Sequence, residues 1–273
     1  MLRVGIIGCG GMGRDHIRRL TEKIQGAEVV AVSDVFEESA KKAAEICGAK
    51  VYTDSRELIN AEDVDAVFIV SPGFAHVDSL LQAIEAGKRI FCEKPLCTTA
   101  EDCLKVVKAE EAAGKHLIQL GFMRRYDKGY QQIKEALATG EYGEPLILHC
   151  THRNPEVGTN YNTPMAVHDT AIHEIDVLHW LVDDEYESAQ VIMPRVTKYS
   201  HSELKDPQIM LLRTKKGVCI DVEVFVNCKF GYDINCEVVC EDGAIKMPMA
   251  TVYPTIRKNA SVSTTIDTDC FVR

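Results

Sequence analysis

The sequence predicts an α/β chain in two parts: a doubly wound parallel sheet over residues 1–121, then an α+β domain with an open, mostly antiparallel sheet over residues 122–273. Three observations carry that expectation. Apolar runs of strand length alternate with helical segments up to residue 122, strand-like runs follow one another closely beyond it, and 273 residues exceed what one mean-sized domain needs.

The first half holds five strand candidates, RVGIIG, EVVAVSD, DAVFIVSP, RIFCEKP and HLIQLGF. Each is apolar over several consecutive residues, the pattern of a parallel strand buried on both faces. Residues 11–23, 37–47, 75–86 and 99–113 have helical composition and spacing. Gly48, Gly87 and Gly114 sit where helix C-caps belong. In the second half a helix over 126–139 precedes a strand at 145–152 and a loop rich in Asn, Thr and Pro that runs to Pro164. A helix over 167–181 follows, then strands at 189–194, 208–213, 218–226, 234–240 and 244–247. Lys216-Gly217 and Asp242-Gly243 mark turns, and connections this short favour antiparallel pairing.

Composition narrows the function. With 31 Lys+Arg against 41 Asp+Glu the net charge is −10, and the sequence pI is near 5.4. An acidic chain is repelled by phosphate backbones and anionic lipid, so neither nucleic acid nor membrane is an expected partner. No apolar run reaches the ~18 residues of a spanning helix. The start, MLRVGIIGCGGMG, lacks the apolar stretch and cleavage site of a signal peptide, so a cytoplasmic protein is expected. The 11 cysteines are scattered rather than paired as CxxC, which suggests small buried residues and no disulfide framework. His168, His173 and His179 lie in HDTAIHEIDVLH, which is not H-E-x-x-H, and no cysteine pair completes a ligand set; no metal is expected.

Residues 4–13, VGIIGCGGMG, place Gly8, Gly10 and Gly13 at G-x-G-x-x-G spacing between the first strand and the first helix. Gly8 suits the tight turn, Gly10 leaves room for a pyrophosphate, and Gly13 allows close helix–strand packing. The helix N-terminus presents free N–H groups to the phosphates. Asp34, at the end of the second strand, is placed to accept hydrogen bonds from the adenosine ribose. A 2′-phosphate would be repelled there, and Val35, Phe36 and Glu37 supply no cation, so NAD is favoured over NADP. This is the Rossmann arrangement.

Two clusters carry candidate chemistry. Glu93, Lys94 and Pro95 follow a predicted parallel strand at the carboxyl edge, where open α/β sheets place ligands. Asp169 and His173 stand four apart on a predicted helix and so project from one face. An alcohol oxidised by hydride transfer must lose its hydroxyl proton, and histidine suits that task near neutral pH. A neighbouring carboxylate can orient the ring, and a lysine can stabilise alkoxide charge. Taken alone, a lysine at position 94 is more often a solvated surface charge, and Asp169 with His173 more often an ordinary exposed pair.

GCGGMG, the EKP at 93–95, GFMRRYDKGY, HCTHRNP, HDTAIHEID and GYDINCEVVCEDG together resemble the glucose–fructose oxidoreductase/inositol dehydrogenase/rhizopine catabolism (Gfo/Idh/MocA) family across nearly the whole chain. The resemblance implies NAD-dependent oxidation of myo-inositol to 2-keto-myo-inositol, with His173 as general base and Lys94 and Asp169 beside it. It adds Met12, Ser71, Pro72, His76, Glu93 and Lys94 to Gly8, Gly10, Gly13 and Asp34 as cofactor-binding residues. Arg124, His152, Asn154 and Tyr232, together with Asp169 and His173, are implied as substrate-binding. A polyol offers hydroxyls all round, which such donors and acceptors suit. The resemblance further implies a homo-oligomer, tetramer or dimer, built through the open sheet. Family members continue several dozen residues past Arg273, so a C-terminally short second domain is expected. Two alternatives stay open: the same chemistry on another inositol isomer or an aldose, and a shortened NAD-binding sensor without turnover.

Overall fold

Strand β1 (Leu2–Ile7) shows why the first half takes its form: its last four residues are all buried, with Val4 and Ile6 in one core cluster and Ile7 in another. A strand whose alternate residues enter separate cores must be covered on both faces. In the computed structural model, which describes residues 1–247, the chain divides into two compact units at Gly121/Phe122.

The first unit carries six parallel strands, β1, β2 (Ala27–Ser33), β3 (Lys50–Tyr52), β4 (Ala66–Ile69), β5 (Arg89–Cys92) and β6 (Ile118–Leu120), in the order β3-β2-β1-β4-β5-β6. Helices α1 (Gly11–Glu22) and α2 (Glu37–Cys47) contribute Ile17, Leu20, Ala40 and Ala43 to one core; α3 (Ser55–Ile59), α4 (His76–Glu85) and α5 (Ala100–Ala113) contribute Leu58, Leu80 and Val106 to the other. Thr99 caps α5 by accepting the Asp102 N–H at 3.1 Å, and Gly114 closes it in the left-handed region at φ +65°. Sequence reading omits β3 and α3. With three and five residues they are too short for periodicity to show, and α3 is set by its Asp54 cap, which accepts the Arg56 N–H at 2.8 Å.

The second unit is a six-stranded sheet of β7 (Pro145–Arg153), β8 (Tyr186–Ile192), β9 (Gln208–Thr214), β10 (Cys219–Phe225), β11 (Asp233–Cys240) and β12 (Ala244–Lys246), in the order β12-β11-β7-β10-β9-β8. Its pairs are antiparallel except β7 with β10, which the long connection from Arg153 to Cys219 allows to run parallel. Helices α6 (Lys128–Ala138) and α7 (Ile172–Val182) bury Tyr130, Ile133, Val177, Leu178 and Leu181 with Leu148, Cys150 and Val222 of the sheet. Alternate positions such as Ile147, His149 and Cys219 face away from that core and are exposed.

One expectation is corrected. The helix predicted over 167–181 is a π-helical turn, Ala166–Ala171, that passes into the α-helix only at Ile172. Four-residue α spacing therefore does not relate Asp169 to His173. A π turn inside a helix is a frequent device at functional sites.

Candidate functional site

At the carboxyl edge of the first unit, the loops after β1 and β4 flank the point where strand order reverses, the ligand position of such sheets. Gly8 stands at φ +98°, and a Cβ there would lie 2.5 Å from the Ser71 nitrogen. A Cβ on Gly13 would lie 1.9 Å from the Gly8 oxygen, so α1 can start this close only with glycine. A Cβ on Gly10, by contrast, meets nothing within 4 Å: the centre of the loop is open. Asp34 braces the loop, Oδ2 accepting the Cys9 N–H at 2.8 Å and Oδ1 the Phe36 N–H at 2.9 Å. Two of its roughly four lone-pair directions remain for ribose hydroxyls. Burial, reinforced by Asp34, pushes the Cys9 thiol up to about 12, so it stays neutral beside a phosphate site.

Those dimensions fit a dinucleotide. Ser71 Oγ is buried without a hydrogen-bond partner among the described residues, a polar group that a ligand would satisfy. Met12 is exposed beside the open loop, and Pro72 starts the single 3₁₀ turn Gly73–Ala75 ahead of α4. Glu93 is held on two sides, Oε1 lying 2.9 Å from His16 Nε2 while Oε2 accepts the Lys94 N–H at 3.2 Å. Lys94 is half-buried just beyond β5. His76 is 1% exposed, with Nε2 2.7 Å from the Ser71 carbonyl and Nδ1 2.9 Å from that of Pro95, so its ring lies between the β4 loop and the EKP loop and, when neutral, donates to one of the two carbonyls.

In the second unit four elements converge on one buried polar cluster. The 3₁₀ turn Met123–Tyr126 supplies Arg124, β7 supplies His152, α7 supplies His173, and the segment entering β11 supplies Tyr232. The His152 ring lies 6.3 Å from that of His173 and 6.1 Å, edge-on, from that of Tyr232. Tyr130 lies beneath the Arg124 guanidinium at 5.9 Å. Burial pushes the Tyr130 phenol well up, against the pull of Arg124, so it stays neutral. Burial alone would lower Arg124, but the Glu174 carboxylate outweighs it and raises it, fixing a permanent cation in the cluster. Asn154 is anchored just past β7 by its own N–H to the Phe225 carbonyl at 2.9 Å. Asp169 Oδ1 lies 2.7 Å from His168 Nδ1.

Comparison with known proteins decides the family. Residues 2–122 match the model described as oxidoreductase family, NAD-binding Rossmann fold, and residues 130–246 match the GFO/IDH/MocA C-terminal domain. The chain belongs to the GFO/IDH/MocA oxidoreductase family. It is 56% identical over 249 residues, 90% of this chain and 72% of the relative, to inositol 2-dehydrogenase/D-chiro-inositol 3-dehydrogenase of Shouchella clausii. Inositol 2-dehydrogenase of Klebsiella pneumoniae subsp. pneumoniae is 52% identical over 270 residues, 98% of this chain and 80% of its own. The crystal structure of myo-inositol dehydrogenase from Lactobacillus casei in complex with NAD(H) and myo-inositol superposes with a TM-score of 0.90 at 46% identity, covering 96% of this chain and 78% of that one. As a family member, the protein is an NAD-dependent oxidoreductase whose first unit is the Rossmann domain.

One residue of the cluster escapes sequence reading. Glu174 is fully buried between Arg124 and His152. The available signal was a carboxylate followed by Ile175, Val177 and Leu178 in an apolar helix, a place that demands a partner. Among the described residues no group of three or more His, Cys, Asp or Glu is arranged to hold a metal, each cysteine is a free thiol, and no helix is long and apolar enough to cross a membrane.

Proposed function

We propose that this protein is an NAD-dependent inositol 2-dehydrogenase that oxidises myo-inositol to 2-keto-myo-inositol. The observation that carries the reading is the buried cluster of Arg124 and His152 around Glu174, with half-buried Tyr232 edge-on to His152, a set of hydrogen-bonding groups suited to a ring of hydroxyls, in a chain more than half identical to inositol 2-dehydrogenases. Bound NAD supplies the acceptor for the hydride that leaves the carbinol carbon. The chain does the rest. The open Gly10 loop and the N-terminus of α1 take the pyrophosphate, Asp34 takes the ribose, and exposed Val35 and Phe36 beside it offer no cation to a 2′-phosphate. His173 is assigned as the general base that removes the hydroxyl proton, Lys94 as a cation that steadies developing negative charge, and Asp169 as the carboxylate that supports the base. Arg124, His152, Asn154 and Tyr232 are assigned to the remaining hydroxyls.

A second activity has a specific motive: the Shouchella clausii relative carries both inositol 2-dehydrogenase and D-chiro-inositol 3-dehydrogenase in its name. Stereoisomers differ in which hydroxyls meet the same few groups, so one site can serve two rings. The test is NADH formation with NAD and myo-, D-chiro- and scyllo-inositol, glucose, and an NADP control. Turnover of myo-inositol with NAD is the expected result; turnover of glucose alone, or NAD binding without turnover of any of them, overturns it. We further assign the cytoplasm as the working compartment and a homo-oligomer, tetramer or dimer, built on the exposed sheet face that carries Ile147 and Cys219. Light scattering of wild type and Ile147→Asp tests the assembly.

A further inference from the structure

Among the described residues Glu174 is the most buried charged group of the second unit, at 0% exposure. A carboxylate in that place costs several kcal/mol unless it is paired. Oε2 lies 2.7 Å from Nδ1 of His152, and Oε1 faces Nη2 of Arg124 at 2.9 Å as an ion pair outside hydrogen-bond geometry. A carboxylate oxygen only accepts, so the contact at 2.7 Å requires the hydrogen of His152 to sit on Nδ1. Nη2 of Arg124 lies 3.2 Å from the same Nδ1, and because a guanidinium only donates, that contact asks Nδ1 to accept; the two demands exclude each other, and the shorter contact with the carboxylate oxygen decides for the hydrogen on Nδ1. Because Arg124 already balances the carboxylate charge, a neutral imidazole completes the trio, and a neutral ring protonated at Nδ1 is an acceptor at Nε2. Arg124 keeps a donor in reserve as well, since its Nε–H is buried with no hydrogen-bond partner among the described residues.

We propose that Glu174 is a positioning residue: it locks His152 in the Nδ1–H tautomer and anchors Arg124, so that the two present one acceptor and one donor to the polyol. The tautomer lock rests on the geometry alone; its use in polyol binding rests on the inositol dehydrogenase reading. Glu174→Gln removes one acceptor oxygen and puts an NH₂ donor in its place. With the amide oxygen kept on Arg124, the NH₂ faces His152 Nδ1 and forces the hydrogen to Nε2, turning the acceptor into a donor.

The experiment is two-bond ¹H–¹⁵N histidine NMR on the full chain, with the His152 signal assigned by its loss in His152→Gln. The wild type is expected to show the Nδ1–H pattern and Glu174→Gln the Nε2–H pattern. Steady-state kinetics should then show the polyol KM raised about 3- to 10-fold, the size of one lost hydrogen bond between neutral groups, with kcat and the Kd for NAD within about 3-fold. Glu174→Asp, which retains the carboxylate, should keep the wild-type pattern and an intermediate KM; it and the wild-type spectrum decide the matter if Glu174→Gln does not fold. An Nε2–H pattern in the wild type overturns the proposal, as does an unchanged tautomer or an unchanged polyol KM in Glu174→Gln. If the tautomers switch as described while no polyol is oxidised, the lock stands and the inositol reading falls.

Discussion

The two units hold their candidate sites by opposite means. The carboxyl edge of the first is made of main chain: a turn at φ +98°, a glycine whose Cβ would lie 1.9 Å from the Gly8 oxygen, and N–H groups at the start of α1. The second is made of buried charged and polar side chains, Arg124, Glu174, His152 and His173, brought together from three elements. A backbone site needs only empty space at fixed intervals, so it tolerates most side chains around it and none at Gly8 and Gly13. A side-chain site depends on each group's partner, so it fails by loss of a charge or a proton rather than by crowding.

Mutations can break that contrast, the largest effect first. His173→Ala should lower turnover by about 10²–10⁴-fold, the usual share of a general base, while NAD affinity stays at its wild-type value; a rate unchanged from wild type removes the assignment. Gly13→Ala should act the other way. With about 3 kcal/mol of overpacking, thermal unfolding should show the first unit weakened and NAD titration should show binding lost. Arg124→Ala leaves Glu174 buried without its cation, and a destabilisation of about 3–5 kcal/mol should appear in denaturant unfolding. Arg124→Lys should keep most of the stability and lose polyol affinity, since a point charge cannot replace the planar fork. Asp34→Ser with Val35→Arg should move cofactor preference towards NADP; NAD preference that survives both changes would mean that another contact sets it.

The smallest effect concerns Asp206, a buried carboxyl of the second unit away from the cluster. Burial raises it above the usual carboxylate range, against the N–H groups of Val226 and Asn227 at 2.9 and 3.0 Å. Its folded form therefore holds the proton more tightly than the unfolded form, and its contribution to stability is full below the unfolded value and lost as pH rises through the folded one. Asp206→Asn should flatten the stability–pH curve in that window.

What the sequence makes legible follows the same division. The glycine spacing, Asp34 and the EKP motif can be read because main-chain sites are written as local intervals. The β-α rhythm of the first unit is readable for the same reason, apart from the three-residue β3 and the five-residue α3. In the second unit, Arg124, His152, His173 and Tyr232 come from residues up to 108 positions apart, and nothing local in HEID says that Glu174 lies between two of them. The π turn at Ala166–Ala171 is likewise invisible to a 3.6-residue period. The antiparallel expectation fails only where β10 lies parallel to β7, because pairing between distant strands is a choice of topology, not of pattern.

Strand β7 carries two unrelated messages on alternate residues. Leu148, Cys150 and His152 read inward, while His149 and Arg153 read outward, His149 to Asp221 and Arg153 to Glu223 and Asp233. Substitutions can therefore tune pocket chemistry and outer surface independently, one letter at a time. A single inserted or deleted residue cannot: it would exchange the two alphabets along the whole strand, sending an arginine into the pocket and a histidine to the solvent. Variation within this lineage should thus run by replacement inside β7 and by length only in the loop that follows it.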